Sequence, residues 1–459
     1  MLTIYDSISQ EKRPFHPLKD NHVRLYACGM TVYDYCHLGH ARQMISFDVI
    51  VRYLRSRNYI VDFVRNITDI DDKIIQRANE NGENIQALTE RFIQAMYEDS
   101  DALGALRPDK EPKATEHIPH MIEMIETLIQ KDFAYVGKNG DVYYKVEAFK
   151  SYGKLSHQSI DALQSGVRID VSESKNSPLD FVLWKIAKLN EPSWDSPWGA
   201  GRPGWHIECS AMSTSVLGNH FDLHGGGLDL KFPHHENEIA QSEAATGETF
   251  VNTWMHTGLI QVDDEKMSKS LGNFTTVREA LEEYHPEVIR YFMVASHYRS
   301  PLNYSETNLL AAKSALERLY NTLRDVSIEK EIDDADYEKR FIEKMDDDFN
   351  TPEALAILFE LSREINRFKS EAPQKVASLG ALLKRLSGIL GLLQNNPEAF
   401  LQSTVSKGLD KTTIEKLIAE RNAARAEKNW AEADRIRNDL LKQNVAIEDK
   451  NGATTWRYN

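Results

Sequence analysis

Val23-Arg24-Leu25-Tyr26-Ala27, then Gly29, then the polar run Tyr33-Asp34-Tyr35-Cys36-His37-Leu38-Gly39-His40, is the stretch that decides the fold. The first five residues are short and apolar-rich and stop at a glycine, the pattern of a buried strand. Met44, Phe47, Ile50, Val51 and Leu54 then recur at helical spacing. Tyr59 to Val64 reads as a second apolar strand. A strand, helix and strand of this length form a parallel crossover, so the expected class is α/β with a parallel sheet. The loop between the first strand and the helix is where such sheets hold ligands, at strand carboxyl ends and helix N-termini.

Working outward, residues 110–200 interrupt the pattern. A helical stretch around Met121 to Leu128 precedes Tyr135 to Tyr144, a hairpin pattern with Asn139-Gly140 in its turn. This block reads as an insertion. From about Thr307 the chain is strongly helical: Leu309, Ala312, Leu316, Leu319 and Leu323 form one stripe, and Ala354 to Leu361 and Val376 to Leu393 begin others, as in a helical bundle. Leu401 to Asp410 reads as a linker before a small terminal module. The expected division is 1–109 with 201–306, 110–200, 307–400 and 401–459.

Composition sets the bounds. The 459 residues are 41% hydrophobic and 27% charged, ordinary globular usage that excludes disorder throughout. No run approaches the ~18–20 apolar residues of a membrane span. The N-terminus lacks a basic start and an apolar stretch, so it is not a secretory signal. Three cysteines, Cys28, Cys36 and Cys209, are too few and odd in number for a disulfide framework, and the expectation is the cytoplasm. The net charge of −15 argues against non-specific DNA binding. Residues 411–459, by contrast, hold ten Lys/Arg against eight Asp/Glu, so a nucleic acid meets a locally neutral-to-basic face there.

Two loops carry phosphate chemistry. In His37-Leu38-Gly39-His40, two imidazoles beside free helix amides can donate to a phosphate as charge develops, and Gly39 leaves room for a flat base. Lys266-Met267-Ser268-Lys269-Ser270 offers two ammonium groups that can neutralise a triphosphate during bond-making. Either pattern alone also suits an ordinary solvated loop. The two in this order, about 230 residues apart, are far more specific. A third constellation suits a metal. Cys209 lies in Trp205-His206-Ile207-Glu208-Cys209, and His234, His235 and Glu238 lie just after Pro233, a residue suited to the first position of a helix. On such a helix His234 and Glu238 share a face, with His235 nearby. Cys28 ends the first strand, and zinc takes thiolate, imidazole and carboxylate ligands. Packed cysteines and solvated histidines are the alternative. His-Glu-x-x-His is absent, which counts against a zinc protease.

The two loops, Cys28-Gly29, Asn66 to Lys73, Gly201 to Cys209, His224 to Glu238, and Asp346-Asp347-Asp348-Phe349-Asn350-Thr351-Pro352 in the bundle together resemble the bacterial-type cysteinyl-tRNA synthetases, which are class I aminoacyl-tRNA synthetases. The likeness runs essentially end to end, with Leu38 for the more usual isoleucine. It implies a Rossmann-type catalytic domain with an insertion, a helical bundle and a small C-terminal anticodon-binding module. It implies one zinc per chain on Cys28, Cys209, His234 and Glu238, with the substrate sulfur joining the metal. His235 is then a pocket or structural residue, and Cys36 has no assigned role. The implied substrates are cysteine, ATP with Mg²⁺, and tRNA(Cys), handled by a monomer. His37, His40, Lys266 and Lys269 are the expected catalytic groups. Gly39 and Asp229 join His37, His40 and Lys269 at the nucleotide, although Asp229 equally suits a loop cap. Gly29, Thr68 and Trp205 are expected at cysteine, with a plain core aromatic as the other reading of Trp205. Arg425, Trp430, Asp434 and Asp449 match anticodon-reading positions; Trp430 also suits the core of a helical hairpin. Rival readings are a cysteine:sugar-amine ligase, a zinc hydrolase and a non-catalytic tRNA-binding protein.

Overall fold

The computed structural model describes residues 1–160, 174–189, 191–262, 265–266, 274–327, 335–403, 409–443, 445–450 and 453–458. They fall into two compact units: Met1–Phe274 with Ser296–Asn303 and Ile342–Thr351, and Thr275–Ala295 with Tyr304–Phe341 and Pro352–Asn459.

The first unit is built on a four-stranded parallel sheet in the order Val251–Thr257, Phe221–Gly227, His22–Ala27, Ile60–Arg65. The strand His22–Ala27 feeds the helix Leu38–Ser56, which returns to Ile60–Arg65, so the expected crossover is present and the α/β class holds. The helix starts where it does because His37 caps it. It buries Ile45, Phe47, Val49, Ile50, Val51 and Leu54, each worth ~1.5–3 kcal/mol when fully removed from water. It stops at Arg57, next to Asn58, whose φ of 65° turns the chain toward the next strand. Arg42, on the same helix and 2% exposed, donates to the carbonyl oxygens of Ser296, His297 and Ser300 and so ties the helix to that segment.

Between the strands Ile60–Arg65 and Phe221–Gly227 lies a four-stranded antiparallel sheet, Ala134–Val136, Val142–Tyr144, Phe181–Ile186, Gly201–Pro203, whose last strand falls just beyond the expected 110–200 insertion. Its Asn139-Gly140 turn has Gly140 at φ 87°, a backbone conformation that glycine takes without a steric cost. The last strand runs directly into the helix Trp205–Leu217, so this sheet fixes the start of the helix that carries Cys209.

The sequence places Asp346 to Pro352 in the bundle, but Ile342–Thr351 packs with the first unit. The reason is Asp348. Its fully buried carboxylate accepts hydrogen bonds from the Tyr5 amide at 2.9 Å, the Tyr298 hydroxyl at 2.8 Å and Arg299 Nε at 2.7 Å. A buried carboxylate needs such partners, and they lie in this unit. Likewise Thr275–Ala295, expected within the catalytic segment, groups with the helical unit.

In the second unit, Leu309, Ala312, Leu316, Leu319 and Leu323 are all buried on the helix Glu306–Leu323, as their spacing predicts. The helices Thr351–Glu371 and Pro373–Ile389 follow. The terminal module pairs the helices Lys411–Ala426 and Trp430–Lys442 with the antiparallel hairpin Val445–Lys450 and Ala453–Tyr458. Ile414, Ile418, Ile436, Leu440, Val445, Trp456 and Tyr458 form its core. No helix among the described residues is long and apolar enough to cross a membrane.

Candidate active site and metal centre

The carboxyl ends of the parallel strands open onto a cavity of ≈ 330 Å³, and a second cavity of ≈ 370 Å³, bordered by the antiparallel sheet, shares Trp205 with it. The smaller is lined by Gly29, His37, Gly39, His40, Trp205 and Asp229, which are six of the residues expected at nucleotide or cysteine. His37 and His40 stack with ring centroids 3.6 Å apart. His37 Nδ1 accepts the His40 backbone N–H at 3.3 Å, and His40 Nδ1 accepts the His37 backbone N–H at 3.2 Å. An Nδ1 that accepts carries no proton, so each neutral ring bears its proton on Nε2 and is a donor there. Gly29 is confined: a Cβ would lie 1.9 Å from the Asn66 carbonyl oxygen. Its amide donates to Asn66 Oδ1 at 2.7 Å, and Asn66 Nδ2 donates to Thr68 Oγ1 at 3.2 Å. Thr68 itself is buried and is not among the residues lining the cavity.

Lys73, Gln43 and Tyr33 also line this cavity, and sequence reasoning gave them no role. Lys73 lies over the Tyr33 ring at 5.6 Å. Gln43 is one helical turn past His40 and donates through Nε2 to the Cys28 carbonyl oxygen. Its i, i+3 spacing from His40 was the available signal. Lys266 pairs with Gln261 in a short antiparallel ladder. Lys269 and the rest of that loop lie outside the described residues.

Behind the cavity, one ligand atom from each of Cys28, Cys209, His234 and Glu238 falls within 4.8 Å of the others, and all four residues are buried. Cys28, His224 and His235 form a second, three-donor group that shares Cys28. The two sulfurs of the larger group are 3.8 Å apart. Two thiolates each ~2.3 Å from a common tetrahedral centre stand about that far apart, so the donor set fits zinc. His234 Nε2 lies 3.0 Å from Glu238 Oε1. Pro233 does not open the helix that holds them. It sits in a π turn, Lys231–His235, where Phe232 is extended, and the α-helix begins at Glu236. His234 and Glu238 still meet because the turn keeps them on one side.

A shell of histidines surrounds this group. His224 Nε2 is 2.8 Å from Glu238 Oε2, His206 Nδ1 is 2.9 Å from His234 Nδ1, and His235 bridges Cys28 Sγ at 3.3 Å and His256 Nε2 at 2.9 Å. His224, midway along the strand Phe221–Gly227, and His256, next to last in Val251–Thr257, stand on neighbouring parallel strands, and neither has a role assigned from sequence. Burial lowers His206 and His256 to about 3, so both are neutral. Burial also raises the Cys28 thiol. The hydrogen bond from Cys28 brings Cys209 down to about 6. Burial alone would lower His234, but the Glu238 carboxylate and the Cys209 sulfur raise it to about 10. Glu238 is held well below the usual carboxylate range: His224 and His234 overcome its desolvation.

Trp205 is 38% exposed, which removes the core reading, and it stacks on His234 with centroids 4.2 Å apart. Asp229 is exposed at the cavity rim. Cys36 is buried with its sulfur 3.2 Å from Met30 Sδ, away from the four-donor group. In the terminal module Trp430 is 59% exposed at the start of its helix, so it is no core residue. Arg425 Nη1 donates to Asp449 Oδ2 at 2.7 Å, and Asp434 is exposed on the neighbouring helix.

Residues 14–314 match the model of the class I (C) tRNA synthetase catalytic domain. Residues 340–394 match a DALR domain, and 411–457 match the cysteinyl-tRNA ligase anticodon-binding domain. The chain is 61% identical over 456 residues to a cysteine--tRNA ligase of Stutzerimonas stutzeri (strain A1501), covering 99% of each. It is 59% identical over 457 residues to that of Pseudomonas aeruginosa (strain LESB58), covering 100% of this chain and 99% of the relative. Among solved structures, a methionyl-tRNA synthetase of Mycobacterium tuberculosis in complex with methionyl-adenylate shares the fold at TM-score 0.58 and 16% identity, over 80% of this chain and 89% of that one. A putative arginyl-tRNA synthetase from Campylobacter jejuni does so at 0.55 and 13%, over 82% and 94%. The chain belongs to the cysteine--tRNA ligase family of class I aminoacyl-tRNA synthetases.

Proposed function

We propose that this chain joins cysteine to tRNA(Cys) in two steps at the cavity above the four-donor group. In the first, the cysteine carboxylate oxygen attacks the α-phosphorus of ATP; a new C–O–P bond forms, the bond to the bridging oxygen breaks, and pyrophosphate leaves. In the second, a ribose hydroxyl of the terminal adenosine attacks the acyl carbon and AMP leaves. The protein's part in the first step is positioning and charge stabilisation. His37 and His40, each with its proton on Nε2, donate to the phosphate as charge develops, and their mutual backbone bonds fix the rings beforehand. Gly39 admits the adenine, Asp229 reaches the nucleotide, and Lys266 and Lys269 act on the departing pyrophosphate. ATP is used with Mg²⁺.

Cysteine selection rests on Cys28, Cys209, His234 and Glu238, which would hold one zinc ion. That ion supplies a soft Lewis acid that prefers a thiolate to a hydroxyl. Gly29 and Trp205 bound the same space, and Thr68 supports it from behind through Asn66. At the far end of the chain, Arg425, Trp430, Asp434 and Asp449 read the anticodon. The four-part division at 109/110, 200/201, 306/307 and 400/401, a monomeric state and a cytoplasmic location complete the reading.

One observation carries the proposal: the four buried donors lie beside the cavity that the stacked His37 and His40 line. Those imidazoles, with the match of residues 411–457 to an anticodon-binding domain, weigh against the sugar-amine ligase, the hydrolase and the non-catalytic readings. The test is ATP–pyrophosphate exchange with each of the twenty amino acids, followed by charging of tRNA(Cys). Exchange dependent on cysteine and charging of that tRNA are expected. Exchange with another amino acid, or none with any, overturns the reading.

A further inference from the structure

The proposed anticodon readers have a common neighbour that the sequence did not single out. Arg421, on the helix Lys411–Ala426, is only 5% exposed although it is an arginine in a small module. Its guanidinium makes a two-pronged contact with Asp449: Nη1 donates to Oδ1 at 3.0 Å and Nη2 to Oδ2 at 2.8 Å. One turn further along the same helix, Arg425 Nη1 donates to Asp449 Oδ2 at 2.7 Å. On the hairpin, Thr454 Oγ1 donates to Asp449 Oδ1 at 2.7 Å. Asp434, on the next helix, adds its negative charge to the surroundings of Arg421. Two of the four proposed readers, Asp449 directly and Arg425 through it, are therefore tied to one buried cation, and the carboxylate of Asp449 is held by donors on both oxygens.

We propose that Arg421 is the positioning residue of the anticodon-reading face: it fixes the plane of the Asp449 carboxylate and, through it, the place of the Arg425 guanidinium. This rests on the anticodon assignment above and deepens it. Side chains that read a base must be held in place before binding, and an arginine fork fixes both oxygens of a carboxylate where a lysine ammonium fixes a point. Arg421 is itself too buried to reach a base. Arg425, about 40% exposed by its side chain, is not. The arrangement assigns anchoring to Arg421 and reading to the Arg425–Asp449 pair.

The test is Arg421→Lys in the full chain, with kcat/KM for charging measured on the tRNA(Cys) transcript and on three transcripts each carrying one changed anticodon base. Trp430→Ala is measured in parallel. A correctly placed two-pronged contact to a base is worth roughly 5–150-fold in discrimination. The preference for the cognate base should therefore shrink at least about fivefold at one anticodon position, with the other two ratios held within about twofold. All three ratios unchanged overturns the inference. So does an equal collapse at all three, which is what loosening of the whole module produces. If Trp430→Ala weakens charging while Arg421→Lys changes no ratio, the anticodon assignment stands and the role of Arg421 falls. If neither variant changes anything, both fall.

Discussion

His37 and His40 stack at 3.6 Å while each ring accepts the other's backbone N–H. One pair of bonds thus caps the helix Leu38–Ser56 and sets which ring nitrogen carries the proton. Capping and the proposed phosphate contact share these side chains but can be separated by substitution.

His37→Asn keeps an acceptor for the His40 amide and loses the imidazole donor; His37→Ala loses both. A lost cap costs ~0.5–2 kcal/mol, and a lost transition-state donor ~10²–10³ in kcat. The asparagine variant should keep the parent Tm within a degree or two and lose the rate of adenylate formation in a single turnover. The alanine variant should lose both. A full-rate asparagine variant would remove His37 from the chemistry.

Much of this centre was legible in the sequence because its parts are local. His37 to His40, and His234 with Glu238, are three or four residues apart, so a turn of chain places them on one side. Cys28 was legible because it ends an apolar strand. The histidine shell was not: His224 and His256 meet His235 only through strand register and the packing of a helix across the sheet. Asp348 was misplaced for a related reason. The helical pattern that starts at Ala354 follows it closely, whereas its partners Tyr5, Tyr298 and Arg299 are distant in the chain. The exposure of Trp430 was equally hidden, since an aromatic at the first position of an amphipathic helix looks like core until the hairpin's side is known.

Cys209→Ser should weaken zinc binding and cysteine activation together, and it should narrow the cysteine/serine ratio of kcat/KM in exchange. Bound zinc is read by metal analysis. Unchanged zinc content with an unchanged ratio would detach Cys209 from selection. In the parent chain, zinc affinity should fall as pH falls, because protons compete for the cysteines, and burial raises the Cys28 thiol.

Lys269→Ala should slow adenylate formation far more than it weakens cysteine binding, because an ammonium acting on the departing pyrophosphate matters most in the transition state. A loss of ~10²–10³ is expected. Pre-steady-state adenylation within a fewfold of the parent contradicts the role.

Truncation after Gln402 should leave zinc binding and cysteine-dependent exchange and depress kcat/KM for tRNA. The cut exposes one bridging residue. Arg324, on the bundle side, donates to Glu448 at 2.9 Å and to Thr455 at 2.8 Å in the terminal module. A modest drop in the stability of the bundle is therefore expected alongside. Trp430→Ala in the full chain should reproduce part of the tRNA effect, since stacking a base on an aromatic is worth ~1–3 kcal/mol. Charging by the truncated chain at the parent rate would show that the module does not contribute.

The buried Cys28, Cys209, His234 and Glu238 are proposed to select cysteine at the cavity lined by His37 and His40. Serine differs from cysteine by one atom and is no larger, so shape cannot reject it. The most direct measurement is ATP–pyrophosphate exchange by the zinc-loaded full chain with cysteine and serine side by side. Serine should be disfavoured by about 10⁴-fold or more in kcat/KM, the range open to a site that leaves a binding group unpaired with the wrong substrate. Serine within about tenfold of cysteine would contradict it.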